Sequence, residues 1–114
     1  MNIRKKIKLD LKDSRVGSLC KDVFMLHKPN NIIADTYIEW QILSDDETDF
    51  SGNKNLSEEY LIQVDIFTKG DFTFIEEAIR LVFKEKGYGN RGCYDGYEKD
   101  TFLYTSKMRF GIKI

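Results

Sequence analysis

The sequence is poor in the residues that build reactive centres: one histidine, two cysteines and a single proline in 114 residues. A Ser-His-acid set would have to use His27, and no serine sits in a nucleophile-elbow pattern. A cysteine nucleophile would need His27 beside Cys20 or Cys93, a pairing that nothing in the sequence suggests. The cysteines lack the close Cys or His spacing of a zinc site and read as reduced, partly buried thiols. His27, alone, reads as a surface or strand-end residue. No run approaches the ~18 apolar residues of a membrane span. The basic start Met1–Lys5 is not followed by an apolar stretch, so no signal peptide is expected and a cytoplasmic setting is. Neither sign of charge dominates: 18 Lys and Arg against 19 Asp and Glu give a net charge of −1 and no general attraction to nucleic acid. An enzyme is not expected, nor a cofactor.

What the chain has in quantity is bulk. Eight Phe, six Tyr and Trp40 accompany a hydrophobic fraction of 41%. That is enough for one domain over residues 1–114, burying roughly two-thirds of its unfolded surface. The organising stretch runs from Tyr37 to Lys86. From Tyr60 to Phe67 the residues alternate: Tyr60, Ile62, Val64 and Ile66 share one face, Gln63 and Asp65 the other, the period of a half-buried strand. Asp71 or Thr73 then suits a helix cap, and Glu76 lies three after Thr73 as a capping box requires. Phe72, Ile75, Ile79, Val82 and Phe83 form one stripe at helical spacing, and Gly87 is the expected stop.

Before this stretch, Ile3, Ile7 and Leu11 sit four apart while Ile7, Leu9 and Leu11 alternate. Both helix and strand fit, and the Lys and Arg between them favour helix. Val16–Lys21 adds a short turn with Gly17 as a breaker. Val23–Leu26 reads as a short strand ending at the Lys28-Pro29-Asn30-Asn31 turn. Ile38, Trp40 and Ile42 mark a second strand from Thr36 to Ile42. After the helix, Gly87–Gly92 lacks the ending of a phosphate-binding P-loop and reads as a turn into an edge strand, Cys93–Glu98. The last strand sets Phe102, Tyr104, Met108, Phe110, Ile112 and Ile114 on one face, with Thr101, Thr105, Lys107, Arg109 and Lys113 on the other. The expected fold is α+β: a mostly antiparallel sheet with helices packed on one face, two layers, in the order α-β-β-β-α-β-β. Apart from the 71–86 helix, the connections read as too short for crossovers.

Two charged stretches stand out. Arg4, Lys5, Lys6 and Lys8 make the N-terminal segment the most basic, without the interleaved aromatics of a nucleic-acid surface. Ser44–Glu59 reads as a long polar loop opening with Asp45, Asp46, Glu47 and Asp49. Its spacing fails the calcium-loop pattern, so it is read as a protein-binding or assembly loop. The opposite charges suggest that the acidic group of one copy meets Arg4, Lys5, Lys6 and Lys8 of the next.

The Lys28-Pro29 turn, the Thr36-Tyr37-Ile38-Glu39-Trp40 strand, the Glu59–Lys69 strand with its following amphipathic helix, and the Asp100–Tyr104 and Tyr104–Phe110 segments resemble the tail terminator (tail completion, tail-to-head joining) proteins of phages and prophages. The resemblance covers most of the chain and is weakest over the first 35 residues. It implies a structural protein without catalytic residues. Such a protein would form a ring, commonly a hexamer, on the head-proximal end of the tail tube, end tube polymerisation and meet a head-tail connector protein. It would be found in the host cytoplasm during assembly and then in the virion tail. No membrane and no specific nucleic acid are implied. A phage head-completion or connector subunit, or a non-phage α+β protein-binding domain, fits the same motifs.

Overall fold

The computed structural model describes residues 2–48 and 57–114. Its elements are α1 (Ile3–Leu11), α2 (Ser14–Gly17), β1 (Val23–Met25), β2 (Thr36–Thr48), β3 (Ser57–Thr68), α3 (Thr73–Glu85), β4 (Gly89–Glu98) and β5 (Leu103–Lys113). The strands form one five-stranded sheet in the order β1-β2-β3-β5-β4. All neighbours are antiparallel except β1 and β2. The α+β, mostly antiparallel, two-layer expectation describes this architecture.

The helices cover one face. Asn2 caps α1, its side-chain oxygen accepting from the Arg4 and Lys5 amides at 3.0 and 3.3 Å, and the four-residue spacing of Ile3, Ile7 and Leu11 buries all three. α3 buries Ile75, Ile79, Val82 and Phe83 against Ile38, Trp40, Ile62, Val64, Ile66, Met108, Phe110 and Ile112. Each large side chain so buried contributes about 1.5–3 kcal/mol. Phe83 stacks on Tyr88 at 4.0 Å and tilts onto Phe110 at 4.7 Å. The Tyr88 hydroxyl donates to Asp10 Oδ2 at 2.8 Å, and Lys6 Nζ reaches the same oxygen at 2.7 Å. This knot ties α1 to the turn after α3, where Gly87 takes φ +96° as a helix-ending glycine should. Arg15 Nη1 and Nη2 hold Glu85 at 3.0 and 2.8 Å and so tie α2 to α3.

Several expectations are corrected. The stretch 44–59 is not a loop throughout, because β2 runs on to Thr48 and β3 begins at Ser57; a bulge between Ile42 and Ser44 shifts the register. Backbone pairing in a hairpin overrides the low strand propensity of the acidic residues. The capping box does not form. Asp71 accepts from the Thr73 amide at 2.8 Å, and Phe72 occupies the cap position without a side-chain bond. Glu76 instead accepts from Ser106 Oγ at 2.6 Å. A crossover without a helix, residues 26–35, joins β1 to the parallel β2. β4 starts at Gly89, earlier than Cys93.

The last strand also departs from its expected alternation. Phe102 lies in the turn at φ +59°, exposed, and Tyr104 is exposed too, whereas Leu103 and Thr105 are buried. Leu103 joins Tyr37 and Phe67 in a second small cluster, with Phe24 and Ala34 packed against it. Ser106 faces α3 through Glu76, so strict alternation puts Leu103 and Thr105 on the face away from the helices. That face therefore has a modest core of its own at one end.

Candidate assembly surface

β2 runs on past β1 in a hairpin arm with β3, which β5 still flanks as far as the paired Glu58–Ile114 backbone bonds, and the described chain measures 51 × 27 × 25 Å. In the arm Asp45 faces Tyr60, Asp46 faces Glu59 and Glu47 faces Glu58. Like charges directly opposite on a ladder, as Asp46 and Glu59 are, destabilise it. The Tyr60 hydroxyl donates to Glu58 Oε2 at 2.5 Å. That bond, followed by burial and the Asp45 and Glu58 charges, pushes the phenol up to about 12, with Arg4 opposing. Glu59 meets Arg91 Nη2 at 3.5 Å. Arg91 lies across Gly111, where an added Cβ would come within 2.9 Å of its Nε.

The expected contact residues are divided by the structure. Asp45 and Asp46 lie exposed on the arm, and Glu47 stands in its ladder. Asp49 falls outside the described residues. Arg4, Lys5 and Lys8 are exposed on α1. Lys6 turns inward to Asp10 and to the Lys86 carbonyl at 3.1 Å, its ammonium 4.7 Å from the centre of the Tyr88 ring. Arg4 stands at the base of its own arm, beside Gln41 and Ile42. His27 is exposed, with Nδ1 against the Lys28 carbonyl. Cys20 is free and buried, its thiol pushed up by that burial.

Some groupings were beyond sequence reasoning. Glu76, Cys93 and Asp95 bring one ligand atom each within 4.8 Å of one another. Both Glu76 oxygens are already engaged: Oε2 accepts from Ser106 and from Cys93 Sγ at 3.7 Å, and Oε1 meets Arg80 at 3.2 Å. With a guanidinium beside it, this trio is a hydrogen-bonded strut more than a cation cradle. A groove of about 460 Å³ between α3 and β4 is lined by Arg80, Lys84, Tyr88, Gly89, Asn90 and Phe110. These side chains offer cations and ring faces without a paired acid and base. Across the bare face, Asp65 Oδ1 is buried without a hydrogen-bond partner, and burial raises that carboxyl.

Geometry thus defines a class: a small α+β domain with one covered sheet face, one bare face and a charged hairpin arm. A chain of the "Virion of native gene transfer agent (GTA) particle" shares the fold, with a TM-score of 0.66 at 13% identity over 94% of this chain and 90% of that one. At that identity the likeness is one of fold. No family model matches the sequence, and no curated protein matches it.

Proposed function

We propose that the protein is a structural subunit of a phage or prophage particle. In this reading a ring of copies caps the head-proximal end of the tail tube, ends tube polymerisation and joins tail to head. The observation that carries it is the shared fold, nearly end to end, with a chain of a gene transfer agent virion. The motifs that resemble tail terminators narrow it from virion protein to tail end. The role needs no catalysis and no cofactor. Its partners are other copies, the tail tube protein and a head-tail connector protein, met first in the host cytoplasm and then in the virion tail.

Within the ring, the acidic arm (Asp45, Asp46 and Glu47, followed in the sequence by Asp49) meets the basic face of a neighbour's α1 at Arg4, Lys5 and Lys8, with Lys6 holding that helix in place through Asp10. Residues 44–59 sum to −5, leaving +4 on the rest of a chain whose total is −1. Heterologous contacts of this kind close into rings. The test is deletion of the gene from a producing prophage, with electron microscopy of the lysate and antibody labelling of wild-type particles. The expected result is headless tails of uncontrolled length, and label at the head-tail junction. Label on the capsid side of that junction, with tails of normal length, would assign the protein to head completion instead.

A further inference from the structure

We propose that copies of this chain join edge to edge, β4 of one adding to β1 of the next, so that one sheet continues around the assembly. This rests on the ring reading above and names the surface that builds it.

The two rims of the sheet are unlike, and among the described residues no further strand pairs with either, although the Met25 carbonyl on the β1 rim already accepts from the His27 amide at 2.8 Å. On one rim β1 covers β2 only from Ile38 to Trp40. The ladder ends where the Leu26 amide donates to the Trp40 carbonyl at 2.8 Å. There Leu26 takes φ +68°, a left-handed turn that costs a leucine about 1–2 kcal/mol, and carries the chain off the edge. Met25 and Leu26 remain 43% and 63% exposed. Beside them, on the helix side, Lys8, Lys12, Val23, Met25 and Trp40 line a groove of about 250 Å³. On the other rim β4 pairs, among the described residues, with β5 alone, and Tyr94 and Tyr97 are 54% and 49% exposed. Asp95 lies on the helix side, within 4.8 Å of the Glu76 carboxylate. One rim therefore offers lysines around an apolar groove, and the other an acid and tyrosines.

Register and direction agree with the charges. Val23, Ile38, Ile66, Ser106 and Asp95 lie in one continuous row, and Met25, Trp40, Val64, Met108 and Cys93 in another. A neighbour at the same level therefore sets Asp95 beside Val23 and within reach of Lys8 and Lys12. A lysine there offsets the repulsion between Asp95 and Glu76. β4 runs opposite to β1 and β2, so rotation without inversion makes the new pairing antiparallel, the favoured sense. Rotation without rise closes on itself. Bulges at Ile42/Ser44 and Asn90/Gly92 lie at one level just past the arm-side end of the paired stretch and limit it there.

Two sets of variants test this by native mass spectrometry, with the purified chain alone and with tail tubes. Asp95→Lys should weaken assembly roughly tenfold or more, and adding Lys8→Glu with Lys12→Glu should restore part of it. In a Cys93→Ser background, Val23→Cys with Asp95→Cys should oxidise to a covalent ladder ending in a closed species, since facing residues on adjacent strands lie within disulfide reach. Wild-type rings that persist in Asp95→Lys and give no ladder would overturn the edge contact and leave the ring reading standing. A wild-type chain that stays monomeric both alone and with tubes would overturn both.

Discussion

On the helix-covered face of the sheet, side chains of β2, β3 and β5 disappear under α1 and α3, and Phe83, Ile38, Ile62 and Ile66 reach zero exposure. On the opposite face the same strands present Glu39, Gln63, Asp65, Lys107 and Arg109. There the crossover from β1 to β2 accompanies one small cluster of Tyr37, Phe67 and Leu103. One face carries the stability of the fold; the other is organised by cross-strand charge and amide pairs, such as Arg109 Nε on Gln63 Oε1 at 3.2 Å. Binding chemistry therefore has to be sought on the bare face, the rims and the arm, where change costs the fold least.

The largest test sets one aromatic of each face against the other. Phe83, wholly buried between Tyr88 and Phe110, should cost about 4 kcal/mol as alanine, and Phe67, stacked on Tyr37 at the sheet's end, roughly half that. Urea unfolding monitored by circular dichroism measures both. Equal losses would mean that the two clusters form a single core and that the contrast between the faces is false.

A smaller effect probes the polar knot on the covered face. Tyr88→Phe removes a hydroxyl bonded to Asp10 and should cost about 1 kcal/mol at neutral pH. Burial first, and then the Asp10 bond and charge, push the Tyr88 phenol well above its ordinary value. A group raised in the folded state stabilises below its unfolded value, and that contribution drains away as pH climbs toward the folded one. Above about pH 10 the wild type should therefore lose its advantage over Tyr88→Phe, because the unfolded chain gives up the proton first. A gap between the two proteins that stays constant from pH 7 to pH 11 would refute the assignment.

How much of this was legible in the sequence depends on where each signal resides. The α3 stripe and the Tyr60–Ile66 alternation are periodicities set by local burial, and both appear as read. The arm was not visible because Asp45, Asp46 and Glu47 carry no apolar alternation of their own; the apolar residues of their rows, such as Tyr60 and Ile112, belong to β3 and β5. The strand β1 was read, but its parallel pairing with β2 was missed because a crossover made of loop has no periodic signature. Glu76 was assigned to the cap by its spacing from Thr73, but Ser106, thirty residues on, takes its carboxylate. Of the assembly residues, the charges of the arm and of α1 could be read directly. The inward turn of Lys6 and the row that aligns Asp95 with Val23 exist only once the sheet is paired.

The smallest effect belongs to the bare face. Asp65 stands opposite Glu39 on one side and Lys107 on the other, with Oδ1 buried and unbonded and Gln63 donating to Oδ2 at 3.2 Å. Burial raises its carboxyl first of all; Gln63, Lys107 and Arg109 oppose that rise, and Glu39 adds to it. The neutral form is thus the better fit, and any stability it brings is present below the ordinary carboxylate range and lost as pH rises through the raised folded value. At pH 7 the charged form burdens the fold, so Asp65→Asn should stabilise the free chain by roughly 0.5–1 kcal/mol, a figure discounted for the solvent that still reaches the side chain. Near pH 3, with the acid protonated in both states, the two proteins should unfold at the same urea concentration. A stabilisation that persists unchanged at pH 3 would trace the effect to packing, and a loss of stability at pH 7 would mean that Lys107 and Arg109 rely on the Asp65 charge more than burial opposes it.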